Sequence, residues 1–117
     1  MKPMKLTKLK EIQHSMDDFK ESLWKDAHSS ELIDVFSWII DAKDVLSEAI
    51  HYAYEYKDAN DEYSKLGLLS LYNECLDEVR INLENASTNL NNAFCDEPLR
   101  RLIKSHCDYQ IHQLSEM

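Results

Sequence analysis

Residues 30–56, SELIDVFSWIIDAKDVLSEAIHYAYEY, decide the fold. Val35, Ile39, Ala42, Leu46, Ala49, Ala53 and Tyr56 recur at steps of three and four, the spacing that keeps side chains on one face of an α-helix. Leu32, Phe36, Trp38, Val45, Ile50 and Tyr52 widen this seam until more than half the circumference is apolar. A helix apolar over so wide an arc needs neighbours on several sides, which predicts the central helix of a bundle. After Ala27 and His28, Ser29 and Ser30 supply N-cap oxygens for its first turn, and Glu31 and Asp34 suit its positive dipole end.

Similar stripes lie on both sides. Upstream, Leu9, Ile12, Met16, Phe19 and Leu23 predict a helix over about 5–25. Downstream, KDANDE (57–62) reads as a connection. Leu69, Tyr72, Leu76, Val79, Leu83, Ala86, Leu90 and Ala93 then hold a heptad-like register through a third helix, with Gly67 near its start. Asp96, Glu97 and Pro98 have the form of an N-cap and first turn, and Leu99, Ile103, Cys107, Ile111 and Leu114 continue a fourth helix. One glycine and two prolines in 117 residues leave too few turn-makers for a many-stranded β fold. The expectation is all-α: one domain over 1–117, an antiparallel up-down bundle of about four helices.

The net charge of −9 is unevenly laid out. Residues 1–10 carry four lysines and no acid; 11–62 carry fourteen acids against Lys20, Lys25, Lys43 and Lys57. Residues 63–117 are milder, with eight acids against five bases. Such a surface repels nucleic acid and anionic lipid and favours encounter with a basic protein. No apolar run is long enough to span a bilayer, and no apolar core follows the lysine-rich start as in a secretory leader. Cys75, Cys95 and Cys107 form no CxxC pair, and an odd count suits a reducing compartment; a cytoplasmic location is expected.

Four patterns bear on chemistry. Glu11-x-x-His14 and Glu48-x-x-His51 have the E-x-x-H form used by ferritin-like di-metal bundles, but helical geometry turns both pairs away from their apolar stripes. Asp58-Ala-Asn60-Asp61-Glu62 begins like a calcium loop, yet Tyr63 stands where glycine is required and Leu69 where a bidentate glutamate is required. His106, Cys107 and His112 lack zinc-motif spacing, so no metal or other cofactor is expected. Arg101-Leu-Ile-Lys-Ser-His106 has an R-x4-H form that resembles the motif of HEPN-domain ribonucleases, which are also small helical bundles. The resemblance covers six residues. It implies that Arg101 and His106 act on a scissile phosphate, often across a dimer; otherwise they are a basic first turn and an exposed histidine.

Asp34, Asp41, Asp44, Glu48 and Glu55 fall within about 80° of arc on the central helix, a ridge some 30 Å long with only Lys43 to offset it. Like charges three or four apart destabilise a helix, a cost most readily retained where a partner uses the charges. Trp24, Tyr54 and Tyr63 lie off the main seams and are candidate contact residues. The leading expectation is a non-enzymatic acidic protein that binds a basic partner, as immunity proteins, antitoxins and phage-type inhibitors do. Its contact residues would be the ridge, Tyr54, Asp58, Asp61, Glu62 and Tyr63. The alternatives are the R-x4-H ribonuclease and a structural protein that self-associates, as a homodimer for instance, through Ile33 and Ile40.

Overall fold

A computed structural model describes residues 6–24, 30–93 and 95–116. The side chains of Lys20, Ser22, Leu23, Trp24, Ser30 and Glu31 lie outside that description, as do Lys2, Lys5, Ala27, His28 and Ser29 entirely. The described residues form four helices and no strand: α1 (Leu6–Trp24), α2 (Ser30–Asp58), α3 (Glu62–Leu90) and α4 (Glu97–Ser115). They pack as an elongated antiparallel four-helix bundle, 52 × 21 × 21 Å.

The apolar stripes become one core. Leu9, Ile12 and Met16 of α1 and Val35, Phe36, Ile39 and Leu46 of α2 are buried members of it. Tyr72, Val79, Leu83 and Leu90 of α3 and Ile103, Cys107 and Leu114 of α4 close the other side. Ala42, Ala49, Ala53 and Ala86, all 0–1% exposed, let the helix backbones approach closely. The most extensive contact is between α2 and α3, followed by α3 with α4 and α1 with α2. The shortest connection builds that main contact: only 59–61 separate α2 from α3, so KDANDE lends its ends to both helices.

Local chemistry sets the helix ends. Asp61 is extended and its carboxylate accepts from the Ser64 N–H at 3.0 Å, satisfying one orphan donor of α3. Asp96 makes no such side-chain bond, and Pro98 occupies the first turn of α4, where a missing N–H costs nothing. Arg100 instead reaches back to the end of α3. It donates to the Ala93 carbonyl at 2.7 Å and to that of Leu90, placing a cation where α3 has its negative pole.

The seam between α1 and α4 is thinner and more polar. Lys8 donates to Gln113, the Gln110 amide donates to the Ser15 hydroxyl at 2.8 Å, and the His106 ring stacks on Phe19 with centroids 3.7 Å apart. Gln110 is fully buried, which its polarity does not announce. Among the described residues its Oε1 has no partner, and neither does His106 Nε2.

Candidate functional site

The acidic ridge is a surface feature. Asp34, Asp41, Asp44, Glu48 and Glu55 are all exposed along the outside of α2. Lys43, which the sequence sets among them, does not neutralise them. It turns to the opposite flank and ion-pairs with Asp17 of α1. Glu55 has His51 at 2.8 Å, but among the described residues Asp34, Asp41, Asp44 and Glu48 have no cation within ion-pair distance.

The ridge also continues onto a second helix. The Cys75 thiol of α3 points at Glu48, with Sγ 4.0 Å from Oε2. Burial pushes that thiol above its usual range, and the carboxylates of Glu48, Glu78 and Glu74 push it further. Glu74 and Glu78, exposed one residue before and three after Cys75, bring two more carboxylates to α3 beside Glu48. Sequence reasoning missed them because it treated each helix alone; the nearness of Glu48 to Cys75 depends on tertiary register. Only Arg80 and Lys65 bring positive charge to α3, and Arg80 sits between Asp77 and Glu84 at 3.6 Å from each.

The aromatic candidates separate. Tyr63 is 87% exposed at the start of α3. Tyr54 lies on the other flank of α2, its ring beneath Lys10 Nζ of α1 at 4.8 Å, so the two tyrosines do not form one corner. Asp58 and Glu62 are exposed beside the turn, while Asp61 is occupied as the α3 cap, which holds its carboxyl below the ordinary range. Further apolar side chains stand out on α3, Leu66 at 65%, Leu71 at 42% and Ile81 at 48%, and on α4, Leu102 at 51% and Tyr109 at 56%. Ile33 is 49% exposed on α2, while Ile40 is partly covered.

Arg101 and His106 do not converge within one chain. Five helical residues apart, they project about 140° from one another. Arg101 faces solvent, whereas His106 leans onto Phe19 and is part-buried, contrary to its reading as an exposed histidine. Burial lowers the imidazole pKa to about 4. At neutral pH the ring is uncharged, with Nε2 enclosed rather than presented to a phosphate. Glu11, His14, Glu48 and His51 are exposed on the outside of α1 and α2; His14 pairs with Asp18 and His51 with Glu55. No three metal-ligating side chains converge among the described residues. An open cleft between α3 and the end of α4, lined by Leu76, Asp77, Arg80 and Leu114, has its one cation engaged by Asp77 and Glu84.

No helix among the described residues is long and apolar enough to cross a membrane. Comparison with known protein families, curated proteins and solved structures finds no match.

Proposed function

We propose that this chain is a non-enzymatic binding protein that covers a basic surface on a partner protein through the exposed face of α2. It would act by occlusion, as immunity proteins, antitoxins and phage-type inhibitors do. One observation carries the reading: Lys43, the only lysine or arginine within the span of the ridge, is committed to Asp17, and among the described residues no cation stands within ion-pair distance of Asp34, Asp41, Asp44 or Glu48. Lys43 on the ridge side would relieve the repulsion among those carboxylates; directed to α1, it leaves a one-signed field facing solvent. A basic partner would relieve the same repulsion on binding and be drawn to the surface at low salt.

The test immobilises the full chain and a variant with Asp41, Asp44 and Glu48 reversed to lysine. A source-cell lysate is passed over both at low salt, then a salt gradient is applied. The reading requires a basic protein retained by the native chain, released at a defined salt step, and not retained by the variant. Equal retention by both, with the same salt dependence, rejects it.

A further inference from the structure

We infer that the outer groove between α2 and α3 is a docking surface for an amphipathic, lysine- or arginine-rich α-helix of the partner, not for a loop or a second copy of this chain. The inference deepens the proposed function and rests on it. The carboxylates alone would suit any polycation, and three further observations narrow the occupant.

The first is the composition of the two banks. On α2, Asp41, Glu48 and Glu55 follow one another at seven-residue spacing, two turns apart. On α3, Tyr63, Gly67, Leu71, Glu74 and Glu78 follow at steps of four, four, three and four, which also keeps one face. With Glu48 against Cys75, antiparallel register sets Tyr52 level with Leu71 and Glu55 level with Leu68. The two rows thus border one groove. It has carboxylates on both sides and exposed apolar contact at Tyr63 and Leu71, and half-covered Val45 and Tyr52 lie on the α2 flank nearest it.

The second observation is Gly67. It lies inside α3, where glycine weakens a helix, and a Cβ placed there would meet nothing within 4 Å. No packing among the described residues calls for a missing side chain. On the outward row between Tyr63 and Leu71, its absence lets another helix backbone approach closely, in the helix-in-groove mode of recognition.

The third is length and sign. Asp41 to Glu55 spans about 21 Å along α2, the length of a helix of roughly 14 residues. By the same register Gly67 and Tyr63 stand level with Tyr56 and Asn60, so a helix of about 19 residues reaching from Asp41 to Tyr63 would set apolar side chains at one end on Leu71, Gly67 and Tyr63, and cations along its length on Asp41, Glu48, Glu55, Glu74 and Glu78. A second copy of this chain, at net charge −9, would bring carboxylate to carboxylate.

The experiment uses the full chain and three labelled synthetic peptides: an 18-residue helix former with leucine and alanine on one stripe and lysine on both flanks, a scrambled peptide of identical composition, and oligolysine of equal charge. Binding is followed by fluorescence anisotropy and peptide helicity by circular dichroism. The amphipathic peptide should bind at least tenfold tighter than either control and gain helicity on binding. Gly67→Leu, and separately Glu74→Lys with Glu78→Lys, should each weaken it tenfold or more, with thermal unfolding of Gly67→Leu no lower than native. Equal binding of all three peptides, or indifference to Gly67→Leu, overturns the groove; if reversal of Asp41, Asp44 and Glu48 still abolishes that binding, the ridge stands without it. No binding by any peptide also overturns the groove, and the ridge is then judged by the lysate comparison alone. A concentration-dependent dimer that Gly67→Leu dissociates would make the occupant a second copy and equally overturn the proposal.

Discussion

Replacing His106 with phenylalanine should change how stability depends on pH. The native imidazole lies flat on Phe19 at an interplanar angle of 2°, with Nε2 enclosed and unpartnered, and burial holds its pKa at about 4 against an ordinary 6.5. Well above pH 6.5 the ring is neutral folded and unfolded, and its contribution to stability is complete. Between pH 6.5 and 4 the unfolded chain takes up a proton that the folded chain refuses, so stability falls with pH. At about 1.4 kcal/mol per pH unit the full shift corresponds to roughly 3 kcal/mol. The ring keeps some contact with water, which screens it and brings the expected loss to about 2 kcal/mol. His106→Phe preserves an aromatic ring against Phe19 but does not titrate, and every carboxylate remains common to both proteins. Urea unfolding at pH 7, 6, 5 and 4 should therefore show the variant gaining about 2 kcal/mol on the native chain between the extremes. A constant difference across that range would refute the assignment of a buried, neutral His106 to the α1/α4 seam.

Leu46, fully buried at the middle of α2, should cost about 2–5 kcal/mol when cut to alanine, read from the urea midpoint with the denaturant slope unchanged. Gly67→Ala should stabilise the isolated chain by about 0.5–1 kcal/mol in the same measurement, since a Cβ there meets nothing and alanine is the better helix former. An aromatic disulfide reagent at pH 8 should modify one thiol per native chain quickly, at Cys95. Cys75 and Cys107 are buried, and burial pushes the Cys107 pKa up to about 12, so both should react only on unfolding. Peptide mapping of the first labelled site checks the assignment.

The helices and most of the core were legible from local periodicity. Burial in a bundle follows the 3.6-residue repeat, and Leu9, Ile12, Met16, Val35, Ile39, Leu46, Val79 and Ile103 announce themselves at that spacing. The exposed ridge on α2 was legible for the same reason. Features that depend on which helix lies beside which were not. Tyr54 and Tyr63 are both contact candidates in the sequence, but Tyr54 lies beneath Lys10 of α1 while Tyr63 stands open at the start of α3. His106 stands on the shoulder of its stripe, and only the position of Phe19 decides that this shoulder is covered. Gln110 has no apolar signature; its partner Ser15 lies 95 residues away. Glu74 and Glu78 joined the candidate site only once Cys75 had fixed the register of α3 on α2.

The three-residue link at 59–61 also bears on the order of assembly. Closing so short a loop costs little chain entropy, and once α2 and α3 meet they zip outward through contacts that remain close in sequence near the turn. The Ser15–Gln110 and Lys8–Gln113 bonds join residues 95 and 105 positions apart and must wait for both flanking helices to dock. The α2/α3 hairpin is therefore the natural folding nucleus and the α1/α4 seam its last closure. In native-state hydrogen exchange, amides of α1 should open at lower free energy than those at the centre of α2 and α3.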